Sequence, residues 1–245
     1  MESTLKILAS RQMSSGQFPT TVINETESVI RVVHTITPTY LICLILDELR
    51  ERGRSHRLLD DIIKKCVRFL SRMCYTDPVV GLKVWHFNAF YAPDWEETAW
   101  SAYLLHKLGL LTKKDLEPLR RLARANETHD RGVGVWLRDD YSTSNHYNNV
   151  FDPVVSLSVS QFLHRVFGER SEPTENFIAR AIDSKDRSLY YADSFREFFF
   201  FLFGKRGKPI SLEHDKNRLF HHGNRTDIWY GSSDVWEVAA LAMAA

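Results

Sequence analysis

Three carboxylates and a tryptophan fall within four residues in Asp94-Trp95-Glu96-Glu97, with Pro93 before them and Thr98-Ala99 after. Carboxylates this close repel one another when ionised, and in a dry cavity the cluster favours holding a proton, which makes it a candidate general acid. The same residues also fit a helix start. Asp94 followed three positions later by Glu97 matches a capping box after Pro93, and both charges suit the positive end of a helix dipole. Spacing alone leaves acid chemistry and helix capping both open.

Other chemistry-bearing residues are sparser. Asp152 directly before Pro153 reads as an N-cap with Pro at the first helical position, and Asp234 with Glu237 repeats the pattern. His86 follows Trp85, and His221-His222 precede Gly223; each reads first as a packed or solvated histidine and second as an acid–base partner of a carboxylate. Ser156 and Ser158 lack a nearby base and a nucleophile-elbow pattern, and Gly132-Val133-Gly134 lacks the rest of a dinucleotide fingerprint. Cys74 has Asp77 nearby but no His at ligand spacing, so neither a metal nor a cofactor is expected.

The elements that must position these groups are helical. Leu41, Ile42, Ile45, Leu46 and Leu49 share one face of a helix from about Thr39 to Arg52, and Gly53 separates it from a second helix, Leu58 to about Cys74. The αα-hairpin pattern returns as Glu96 to Leu108 with Thr112 to Asn126, and as Pro153 to Phe167 with Pro173 to Asp183. Further helices are expected from Tyr191 to Phe203 and from Asp234 onward. The starts at Pro38, Pro93, Pro153 and Asp234 recur at roughly 55, 60 and 80 residues. Helices starting near 39, 96, 153, 191 and 234 are apolar and aromatic, whereas those between carry many charges, as inner and outer rings would. Ile30 to Ile36 and Val133 to Trp136 are rich in β-formers and read as extended loop pieces, and Asp139 to Asn149 as an exposed loop.

Composition bounds the class. With 245 residues, 44% hydrophobic, 26% charged and a net charge of +1, the chain is expected to be one globular domain with no electrostatic footprint for nucleic acid or an anionic membrane. Cys43, Cys66 and Cys74 form an odd, irregular set on apolar helical stretches, which predicts buried free thiols and a cytoplasmic protein. Met1 to Arg11 lacks a signal-peptide core, and the apolar run Phe198 to Phe203 is too short to span a bilayer, so no integral membrane segment is expected.

On these features the chain is all-α and resembles the α/α toroid of the terpenoid cyclase and protein prenyltransferase superfamily, which squalene and hopene cyclases share. Pro93 to Ala99 is similar to the Asp-x-Asp-Asp-Thr-Ala box of class II cyclases, and Gln12 to Phe18 resembles a Gln-x-x-x-Gly-x-Trp repeat with Phe for Trp. The resemblance implies that Glu96 is the acid that protonates an isoprenoid-like apolar substrate, flanked by Asp94 and Glu97. Trp85, Tyr91, Trp95, Trp136, Trp229 and Trp236 would then offer π faces to the cation, with Asp152 on the same rim. If all inner helices begin at one end, Asp94, Glu96, Asp152, Asp193, Glu197 and Asp234 converge there. The chain departs from the family in carrying Glu at two of the three acid positions, in offering one helical domain where class II sites lie between two, and in lacking the prenyltransferases' zinc set. A binding or scaffold domain with a protein partner or a second copy, its box serving as caps, is the alternative. A carbohydrate-active α/α barrel pairing Glu96 with Asp152 is a third reading.

Overall fold

The computed structural model describes residues 1–24, 29–33, 35–87, 92–128, 132–138, 150–184, 200, 203 and 227–230. Two compact units divide the chain: Met1–Ser71 with Leu189–Phe198 and Lys208–Ala245, and Arg72–Ser188 with Phe199–Gly207. Most described residues are helical. The loop expected at Asp139–Asn149, most of the helix at Tyr191–Phe203 and the helix from Asp234 lie outside the described residues.

The first unit opens with α1 (Glu2–Arg11), which buries Leu5 and Leu8 from an otherwise polar stretch. Beyond it, the Gln12–Gly16–Phe18 motif acts as a clamp. The buried Gln12 amide donates from Nε2 to the Gly16 carbonyl at 3.0 Å and to the Ile62 carbonyl at 3.2 Å. Gly16 has φ +97°, and a Cβ there would lie 2.1 Å from the Lys65 carbonyl oxygen, so only glycine lets the loop approach so closely. Phe18 is fully buried, and its backbone N–H donates to Thr39 Oγ1 at 2.9 Å.

Next come β1 (Thr20–Asn24) and β2 (Val29–Val33), antiparallel in one sheet with a strand at Asp227–Tyr230, in the order β2, β1, distal strand. The β-rich stretch at 30–36 is thus a paired strand for most of its length rather than an extended loop. Its Val and Ile content suits a pleated ladder with the neighbouring β1, whose other edge is taken by a strand from about 200 residues further along the chain, beyond the reach of local pattern reading. α2 (Thr37–Glu51) is buried almost all round and α3 (Arg57–Met73) along one stripe, Leu59, Ile62, Ile63, Cys66, Val67 and Leu70. Cys43 and Cys66 are free and buried. The Cys66 thiol hydrogen-bonds Cys43 and, with burial, pushes the Cys43 thiol well above its usual range, so it stays protonated and inert.

In the second unit, hairpin β3 (Tyr75–Thr76) and β4 (Lys83–Val84) leads to α4 (Trp95–Lys107). α5 (Lys113–Asn126) starts at a complete capping box, Thr112 with Asp115, as the sequence indicates. A short hairpin, β5 (Glu127–Thr128) and β6 (Gly132–Val133), precedes α6 (Pro153–Phe162), which ends in a π turn at Leu163–Phe167 before Gly168. α7 (Glu172–Ser184) follows, and the distal strand of the first unit, Asp227–Tyr230, is β7.

Residues 95–105 of α4 and 153–160 of α6 are all buried, whereas α5 buries only Leu116, Leu119 and Ala123. α4 and α6 pack against each other. Both helices start on one extended segment: Trp136 pairs with Asp94, Gly134 with Phe151, and the Trp95 N–H donates to the Val135 carbonyl at 2.9 Å. Residues 134–136 therefore strap the two N-termini at the same end. Glycine is required where this strap begins: Gly132 has φ +71°, and a Cβ there would meet Ser156 Oγ at 2.6 Å and Phe177 Cδ1 at 2.9 Å. Gly132→Ala is expected to destabilise the fold by about 2 kcal/mol or more, combining left-handed strain with a clash. Gly168→Ala, at φ +74° with nothing within 4 Å, should lose only the strain component, as paired urea melts will show.

Candidate functional site at the start of α4

The first turn of α4 is where the sequence places its chemistry, and that turn is dry. Asp94, Glu96 and Glu97 retain 5%, 6% and 4% of their exposure. Helix N-termini leave backbone N–H groups that need acceptors. Asp94, in extended geometry, supplies one: its Oδ1 accepts the Glu97 N–H at 2.9 Å. The full capping box expected here does not form. The Glu97 carboxyl is instead a hydrogen-bond neighbour of the Asp94 carboxyl. Burial is the main force on Asp94 and raises it to about 6; the bonds from Glu97 pull it down, and the neighbouring charge of Glu96 pushes it up.

Asp152 behaves differently. It is fully buried, and Oδ1 accepts the Val154 N–H at 2.8 Å and the Val155 N–H at 3.4 Å, as its place before Pro153 indicates. It lies at the start of α6, at the strapped end shared with α4.

Three of the six aromatics join the box through their main chains. Trp136 bridges Asp94, Trp95 begins the helix, and Trp85 exchanges hydrogen bonds with Thr98 Oγ1, N–H to hydroxyl at 3.2 Å and hydroxyl to carbonyl at 3.3 Å. Trp85 and Trp95 are fully buried and Trp136 nearly so. Trp229 has its backbone in β7, opposite Val22 in the first unit. Tyr91, Trp236, Asp193, Glu197, Asp234, His221 and His222 lie outside the described residues. His86 pairs with Pro93 through the backbone, and its ring stacks on Tyr75 at 4.2 Å with an interplanar angle of 5°. Among the described residues, no three His, Cys, Asp or Glu side chains converge as metal ligands.

Two residues of α4 escaped the sequence reading. Trp100 is fully buried, with its ring 5.0 Å from Phe203. Ser101 is fully buried, and its hydroxyl has no hydrogen-bond partner among the described residues. The available signal was periodicity, since Ser101 lies four residues beyond Glu97 and so on the same helical face.

No family model matches the chain, and no curated protein matches it. A crystal structure of a protein from Actinoplanes is similar to it, with a TM-score of 0.57 and 13% identity over 81% of this chain. That likeness concerns the fold. The chain spans 58% of the Actinoplanes protein's length. Among the described residues no helix is long and apolar enough to cross a membrane.

The raised Asp94 gives a pH test with a definite sign. In the folded protein its proton is held to about pH 6, whereas the unfolded chain releases it near the ordinary value of 3.8. Folding therefore takes up a proton. The resulting stabilisation, about 3 kcal/mol, is complete below the unfolded value and is lost as pH rises through 6. Melting temperatures between pH 7.5 and 5 should rise on acidification for the wild type and rise less for Asp94→Asn, which keeps the cap and removes the titration.

Proposed function

We propose that the chain is an α/α toroid of the terpenoid cyclase type whose box at Asp94, Glu96 and Glu97 is a general-acid site for an isoprenoid-like apolar substrate. The observation that carries the proposal is the buried Asp94–Glu97 carboxyl pair with Glu96 beside it, a cluster in which burial raises Asp94 to about 6. The alternation of fully buried helices with striped ones, and the common end of α4 and α6, support the toroid. In this reading Glu96 gives its proton to an alkene carbon: a C–H bond forms, the π electrons make it, and a carbocation remains. Trp85, Trp95 and Trp136 stabilise that charge. The Asp94–Glu97 pair passes its proton to Glu96, and the carbocation then loses a proton from a neighbouring carbon to the pair as the C–H electrons form the new alkene, so the protein is restored and the net reaction is an isomerisation.

A second reading rests on a specific observation. Asp94 and Asp152 are both used as helix caps, which is what a non-catalytic binding domain would show. Incubation with linear polyprenes and prenyl diphosphates separates the two. Glu96→Gln is expected to lower conversion at least about 100-fold, the scale of a lost general acid, with the melting temperature kept within a few degrees. Equal product from both proteins removes Glu96 from the chemistry. Saturable binding without product by the wild type favours the binding domain.

A further inference from the structure

We infer that Ser101 is a ligand-contacting residue of the acid box, and that its ligand carries a hydroxyl or carbonyl oxygen about one helical turn from the carbon at the carboxylates. The inference rests on the acid-site reading above and adds a substrate class to it. Glu97 and Ser101 are four residues apart and so lie on one face of α4, and Asp94, the extended N-cap just before the helix, is joined to that face by its bond from the Glu97 N–H. Helical Cα–Cβ bonds tilt toward the N-terminus, which aims the Ser101 hydroxyl up this face toward the carboxyl pair.

Every other polar side chain on that face is occupied. Asp94 accepts from the Glu97 N–H, Glu97 bonds the Asp94 carboxyl, and Thr98 exchanges bonds with Trp85. Ser101 alone among these four is buried with no partner among the described residues, and a serine in a helix has an easy alternative in the carbonyl four residues back. Ser158 on α6 takes that alternative, donating to the Val154 carbonyl at 2.9 Å. Leaving a hydroxyl dry and unbonded is unfavourable, so a group that pairs with it on binding gains more than it would in water. Trp95 Nε1, which can only donate, is likewise buried with no partner among the described residues. An oxygen acceptor satisfies either donor. A hydrocarbon satisfies neither. Four residues along a helix advance about 6 Å, which places the oxygen some four or five bonds from the reacting carbon.

The test compares farnesol with farnesene, an alcohol and a hydrocarbon of one skeleton, by ligand-induced melting shifts converted to affinities. Wild type is expected to bind farnesol about tenfold tighter than farnesene, and Ser101→Ala to bind the two within about twofold of each other. The variant should melt at or above the wild-type temperature, because alanine removes an unpaired buried hydroxyl. A variant that keeps the preference for farnesol overturns the role of Ser101, as does a wild type that binds neither compound or both equally. None of these outcomes touches the acid-site reading, which falls instead if Glu96→Gln converts polyprenes as well as the wild type does.

Discussion

A helix N-terminus deprived of water must find acceptors for its first N–H groups, and much in the second unit follows from how α4 meets that demand. The Trp95 N–H goes to the Val135 carbonyl and the Glu97 N–H to the Asp94 carboxylate. Each acceptor is itself drawn into the interior. The carboxylate arrives with two acidic neighbours, and because desolvation outweighs the hydrogen bonds it receives, the proton is retained up to about pH 6. Capping and acidity at this site are thus one arrangement seen from two sides. The geometry that completes the helix also tunes the acid.

The same demand organises α6. Its cap, Asp152, carries two backbone hydrogen bonds and sits at the strap formed by residues 134–136. Since that strap also receives the start of α4, the two buried helices share an origin. Their capping carboxylates, Asp94 and Asp152, lie at that shared end. The strap needs glycine at its outset, where the chain turns left-handed against Ser156 and Phe177.

How much of this was legible in the sequence depends on how local its causes are. Caps and breaks are local: Thr112 with Asp115, Asp152 before Pro153, and Gly168 after the last turn of its helix stand where their residue types indicate. The contrast between apolar and striped helices is also local and reappears as full burial of α2, α4 and α6 against single stripes on α3 and α5. The third strand of the sheet was not legible, because it joins β1 from far along the chain, whereas β1 and β2 pair as neighbours. Nor was the fate of Glu97. A capping box and a carboxyl pair use the same two residues at the same spacing, and only the dryness of the turn, set by distant packing, decides between them. Ser101 was hidden for a related reason: a small residue in a helix looks like packing until its neighbours' hydrogen bonds are known.

The hydrogen bond from the Val135 N–H to the Val150 carbonyl, 2.9 Å long, ties the middle of the strap to the residue before Phe151. The Val135 carbonyl also receives the Trp95 N–H, and its neighbours Gly134 and Trp136 pair with Phe151 and Asp94. One residue therefore serves the starts of both buried helices, so that proline in place of Val135, which removes the donor, would loosen the seats of Asp94 and Asp152 together.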